Sequence, residues 1–175
     1  MKWEFAILQA MQGMRNGWLD ALMVFVTRLG DGGMLWIGLG LFFLCRKKTR
    51  LMGLSLLVSL LAGHLVGNCF LKPLAARPRP CHVMPGVELL IRAPGSYSFP
   101  SGHTMSSFEG AFSIFLFQKK WGLWAMVMAA LIACSRMYLF VHFPTDVLAG
   151  LVLGLIHAWL IYKLVSWYER KLQAS

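Results

Sequence analysis

Charge is scarce in this sequence, and acid scarcer still: 14% of its 175 residues are charged, and only seven are Asp or Glu. With 58% hydrophobic residues and a mean hydropathy of +0.62, that shortage excludes a soluble globular domain and points to a membrane protein. The four cysteines, Cys45, Cys69, Cys81 and Cys134, lack the paired short spacing that binds zinc or builds a disulfide framework, and they read as small apolar packing residues. Clustered carboxylates, which a divalent-metal site needs, are missing too. Asp31, Glu88 and Asp146 are scattered, so neither a metal nor a cofactor is expected. Residues 1–15 carry Glu4, Gln9, Gln12 and Arg15 instead of a continuous apolar core, which argues against a cleavable signal peptide. Repeats, low-complexity stretches and linkers are also lacking, and residues 1–175 read as a single domain.

What the sequence has in quantity is apolar length. About 20 apolar residues cross a bilayer as a helix, and residues 51–71 supply that length without a formal charge. Further runs fall near 18–30, 32–45, 102–118, 121–141 and 146–166, with 121–141 interrupted only by Arg136. The prediction is an all-α protein, a six-span transmembrane helical bundle. A short amphipathic helix over 1–16 precedes it, where Trp3, Ile7, Met11 and Met14 recur at helical spacing.

A formal net charge of +10 raises nucleic acid as a partner, but the basic residues are spread through short loops and have no aromatic platform beside them. Membrane topology accounts for them instead. A cytoplasmic amino terminus puts eleven of the 17 Lys and Arg inside, Arg46, Lys47, Lys48, Arg50, Lys119 and Lys120 among them, and six outside. The expectation is an integral cell-membrane protein with both termini cytoplasmic and the 72–99 and 141–145 loops outside.

Three polar clusters sit at the outer ends of these runs. Lys72-Pro-Leu-Ala-Ala-Arg77-Pro-Arg79-Pro80 is stiffened by its prolines, so its cations are presented to an anion or to lipid headgroups. Pro100-Ser101-Gly102-His103 precedes an apolar helix. Ser101 can cap that helix, and Gly102 lets a phosphate approach the free amides; the plainer reading is a capped turn with an incidental histidine. The third cluster runs Ser135-Arg136, five residues, His142, three residues, Asp146, with Pro144 suited to a first helical turn. A carboxylate there can fix the imidazole tautomer, and Arg136 offers a planar fork.

Together these motifs resemble the type 2 phosphatidic acid phosphatase superfamily, membrane lipid phosphatases related to the vanadium haloperoxidases. The resemblance rests on Lys-x6-Arg-Pro at 72–80, Pro-Ser-Gly-His at 100–103 and Ser-Arg-x5-His-x3-Asp at 135–146. It implies a metal-independent hydrolase in which His142 attacks phosphorus, Asp146 holds His142, and His103 protonates the leaving oxygen. Lys72, Arg79, Ser101, Gly102 and Arg136 would bind the phosphate. The implied substrate is a lipid phosphate or pyrophosphate at the outer face, with undecaprenyl pyrophosphate first, and phosphatidylglycerophosphate or phosphatidate next. A non-catalytic lipid binder or transporter on the same fold is the alternative. Outside the motifs, Glu109, His64 and His157 fall within apolar runs, and Glu109 is expected to meet one of the two histidines.

Overall fold

In the computed structural model, which describes residues 2–173, every regular element is helical and no strand occurs among the described residues. The chain forms α1 (Lys2–Gly13), α2 (Gly17–Leu29), α3 (Met34–Leu44) and α4 (Arg50–Gly63), which continues as a π-helical segment, His64–Leu71. Two short turns, α5 (Lys72–Ala75) and α6 (Pro80–Val83), precede α7 (Gly102–Phe117), α8 (Lys119–Tyr138) and α9 (Pro144–Gln173). Three stretches, Lys47–Val83, Lys119–Tyr138 and Pro144–Leu172, are long and apolar enough to cross a membrane.

The expected first two spans are each short: α2 has 13 residues and α3 has 11. They meet at a 42° bend and together have the length and composition of one broken span. The break is the turn Asp31–Gly33, where Gly32 and Gly33 adopt φ of 58° and 69°, left-handed values that a side chain makes costly. Counting that pair as one, four stretches have the length and composition of a span among the described residues, against the six expected.

Helix α7 is the hub, packing against α3, α4, α8 and α9. Its Phe108, Ala111 and Ile114 join Trp36, Met52, Leu56, Ala129 and Ile132 in the core. The Trp36 indole donates to Ser107 Oγ at 3.1 Å. Gly150 and Gly154 let α9 lie almost on the α7 backbone: a Cβ at either would stand 2.7 Å from a carbonyl oxygen, of Ser101 or Met105. Small residues four apart are how helices approach closely in a membrane.

The outer faces are apolar, with Phe70, Trp121, Trp124, Trp159 and Trp167 exposed. At the end where α7 meets α8 and α9 terminates, Lys119 and Lys171 sit over aromatic rings, as interfacial anchors do. Three of the cysteines, Cys45, Cys69 and Cys134, are exposed and do not pack inside the bundle. The three motif clusters gather at the opposite end, where α4 stops, α7 starts and the α8–α9 loop turns. Helix α1 lies at that same end, with Leu8 packed against Phe140 and Phe143.

Candidate active site

Six of the eight residues singled out in the sequence, Lys72, Arg79, Gly102, His103, Arg136 and His142, line one cavity of about 780 Å³. The other two lie just behind its wall. Ser101 caps α7 and is fully buried; its Oγ accepts from the Thr104 hydroxyl at 2.9 Å and from the Thr104 amide at 3.4 Å. It supports the helix and does not line the cavity. Gly102 brings the start of α7 close to the cations, since a Cβ there would lie 3.6 Å from Lys72 Nζ. Free amides at a helix start and a nearby ammonium form an anion site.

His142 is 1% exposed. Arg79 Nη1 donates to its Nε2 at 3.0 Å, so the ring proton is assigned to Nδ1, and Arg79 holds the Nε2 lone pair in this state of the site. Nδ1 stands 3.5 Å from Asp146 Oδ2, a loose pairing of the kind that tightens when the imidazole gains charge. The loop presenting His142 turns at Phe140, whose φ of 59° is rare for a bulky residue. Phe5 of α1 packs on it and on Phe143, with ring centroids 6.3 and 5.3 Å away.

Asp146 is fully buried in the first turn of α9. Its Oδ2 accepts from Ser98 Oγ at 2.5 Å and from the Phe143 amide at 2.8 Å. Oδ1 accepts from Arg77 Nη1 at 2.6 Å. The sequence offers Arg77 as one of the loop cations presented to an anion; here it is taken up by carboxylates, its other nitrogen, Nη2, donating to both oxygens of Glu4, at 3.0 and 2.9 Å. Burial pushes the Glu4 carboxyl up, but hydrogen bonds from Thr145 and Arg77 outweigh it and leave the group below its ordinary range.

The remaining two clusters gain partners that the motifs do not contain. His103 Nε2 is 2.8 Å from Asp31 Oδ1, and Arg136 Nη1 donates to the Thr27 hydroxyl. Arg136 Nε is buried without a protein acceptor, which leaves a donor for a phosphate oxygen. Arg79 is committed to the walls: it donates to the carbonyls of Ser96, Tyr97 and Val141 and to Ser96 Oγ. It thereby ties the 96–97 loop to the His142 loop. No cluster of three metal-ligating residues exists among the described residues.

A second cavity of about 560 Å³ leads from Lys72, Gly102 and His103 into the bundle between α3, α4 and α7. His64, Asn68 and Lys72 line it in a row, and its apolar wall comes from residues such as Ile37, Leu57 and Leu61. Glu109 lines its deep end and pairs with His157 Nδ1 at 2.8 Å, while His64 pairs with Asn68 at 3.2 Å. Of the two histidines open to Glu109 in the sequence, the fold selects His157.

Residues 52–170 match the PAP2 superfamily, and all three clusters lie inside that range. The chain belongs to the PAP2 superfamily. Among PAP2 relatives, the undecaprenyl-diphosphatase of Sulfolobus acidocaldarius is 36% identical over 138 residues, covering 78% of this chain and 66% of the archaeal protein. The crystal structure of a transmembrane PAP2 type phosphatidylglycerolphosphate phosphatase from Bacillus subtilis superposes with a TM-score of 0.74 at 32% identity. That superposition covers 97% of this chain and 86% of the other. Aquifex aeolicus LpxE gives a TM-score of 0.80 at 28% identity, covering 91% and 94%.

Thr27, Ser98, Asp31 and Glu4 had no site role in the sequence reading, and Arg77 entered it only as one cation of the proline-stiffened loop. Only Asp31 had a usable signal, as the one acid in a Gly-Asp-Gly-Gly turn between apolar runs.

Proposed function

We propose that this chain is an integral membrane lipid phosphatase that works through a phosphohistidine at His142. The observation that carries this reading is the single cavity in which His142, His103 and the cations Lys72, Arg79 and Arg136 converge. His142 Nε2 attacks phosphorus as the bond to the leaving oxygen breaks, and His103 gives that oxygen its proton. Water then attacks phosphorus, returns a proton to His103 and releases inorganic phosphate, and the electron pair of the P–N bond goes back to Nε2. Asp146 faces the charged imidazole throughout, and the three cations with the Gly102 amide offset charge on the transferring group.

Undecaprenyl pyrophosphate is the first substrate. The Sulfolobus relative bears that activity in its name, and Arg28 and Arg92 line the same cavity beyond the three motif cations, which suits a second phosphate. Phosphatidylglycerophosphate and phosphatidate come next. The 560 Å³ cavity beside the phosphate site suits the first part of an apolar chain.

The site faces the outer side. We read α2–α3 as one broken crossing, followed by α4, α7, α8 and α9. Five crossings put the two ends of the chain on opposite sides, with α1 outside and the end of α9 inside, in place of two cytoplasmic termini. This reading puts nine Lys and Arg inside and eight outside. Of the eight, Lys72, Arg79 and Arg136 line the phosphate cavity, and Arg15 and Arg77 are ion-paired. The loop charge available for orientation is therefore still concentrated inside.

Purified protein in detergent, given undecaprenyl pyrophosphate, phosphatidylglycerophosphate and phosphatidate with EDTA present, is expected to release inorganic phosphate, fastest from the first. His142→Ala is expected to release none. Loss of all release in EDTA with recovery on adding magnesium would contradict the metal-free mechanism, and equal release from His142→Ala would remove the nucleophile. In sealed vesicles of known sidedness, phosphate should appear on the side that exposes α1.

A further inference from the structure

Helix α1 lies outside the PAP2-matched residues 52–170, yet it reaches the residue that orients the nucleophile. We propose that Glu4 is a positioning residue for the phosphatase reaction: it holds Arg77 so that Arg77 steers Asp146 toward His142 without cancelling the Asp146 charge. The inference rests on the phosphohistidine reading above.

The contacts form a continuous chain. Arg77 is the fork between two buried carboxylates, with Nη2 on Glu4 and Nη1 on Asp146 Oδ1 at 2.6 Å. Thr145 closes the ring by accepting from Arg77 Nη1 at 2.7 Å and donating to Glu4 Oε1 at 2.6 Å. The guanidinium carbon sits over the Phe143 ring, 4.1 Å from its centroid, which adds a cation–π contact to the carboxylate pairings that hold it. Each Asp146 oxygen is thereby assigned: Oδ1 to Arg77, Oδ2 to Ser98, to the Phe143 amide and to the His142 side.

Charge gives the chain its purpose. Glu4 places a negative charge against Arg77, so Arg77 offsets less of the Asp146 charge when phosphoryl transfer makes His142 cationic. Removing that one charge lets Arg77 offset Asp146 more fully, and the imidazolium loses compensation just as it forms. Interactions that strengthen only as charge develops act on kcat and not on ground-state binding. Glu4 touches no reacting atom; it acts through Arg77.

The test uses the full chain in detergent with farnesyl pyrophosphate and phosphatidate, comparing Glu4→Gln, Glu4→Asp, Arg77→Met and Glu4→Gln/Arg77→Met. Glu4→Gln keeps the side-chain shape and a hydrogen bond to Thr145, and Phe5 and Leu8 still dock α1. Its kcat should fall about ten- to a hundredfold, by analogy with the loss on removing the outer partner of a metal-ligating side chain, with KM and thermal midpoint unchanged. Glu4→Asp should restore part of the loss, and Glu4→Gln should cost nothing further in the Arg77→Met background. Wild-type kcat in Glu4→Gln overturns the inference while leaving the phosphatase reading intact. An equal loss with and without Arg77, or a loss matched by a fall in thermal midpoint, also overturns it. A wild-type protein that releases phosphate from neither substrate overturns both.

Discussion

A histidine enclosed as fully as His142 is held neutral by its surroundings. Burial is the main cause that carries its pKa down to about 3, with the Arg79 and Arg136 charges adding to it and Asp146 opposing. The unfolded chain protonates the same ring near 6.5, so between these values the unfolded state binds the extra proton. The stability that comes from keeping this ring neutral is therefore complete above about 6.5 and is lost as pH falls toward 3. Thermal midpoints measured at intervals from pH 7 to acid should drop for the wild type, and His142→Asn should drop less steeply. Parallel curves would mean that His142 is not the buried neutral ring described. On the proposed mechanism the same burial helps catalysis by keeping Nε2 unprotonated at neutral pH, the state a nucleophile needs.

At the level of elements, the decisive feature is the turn between α2 and α3. Gly32 and Gly33 bend the chain so that Asp31 reaches His103 and α3 can run beside α7. A Cβ at Gly33 would meet Ser106 only at 3.8 Å, so space is not the obstacle there and the left-handed backbone is. Gly33→Ala should cost about 1–2 kcal/mol of stability and loosen the Asp31–His103 pair, lowering turnover of substrates with poor leaving groups most. Unchanged stability and turnover would show that the turn relaxes without penalty. This turn also marks the limit of what the sequence displays. Motif spacing located Lys72, Arg79, His103, Arg136, His142 and Asp146, because each sits at a helix end that hydropathy delimits. Two apolar runs of span-like hydropathy read as two spans, since composition carries no record of a 42° bend. Asp31 and Thr27 reach the site only through that bend. The pairing of Glu109 with His157 was half legible: helical spacing placed both at depth, and the packing of α9 on α7 chose between the two histidines.

Across the whole molecule, the bundle works as a frame with one wet end. Gly150 and Gly154 draw α9 onto α7, which sets Asp146 and the His142 loop against the start of α7. The bent α2–α3 pair brings Asp31 and Thr27 from one side, and α1 closes the site from above through Phe5, Leu8 and Glu4. Every one of these contacts joins residues far apart in the chain, which is why the motif residues were readable and their supports were not. On the proposed mechanism, the frame serves to let His142 carry a phosphoryl group. The most direct measurement is rapid-quench labelling of the purified protein with a lipid pyrophosphate radiolabelled in its terminal phosphate, followed by peptide mapping. The predicted result is a transient, acid-labile and alkali-stable label on His142 that is missing in His142→Ala and accumulates when the hydrolytic step is slowed. Turnover with no protein-bound phosphate at any time point, or a label on another residue, would contradict it.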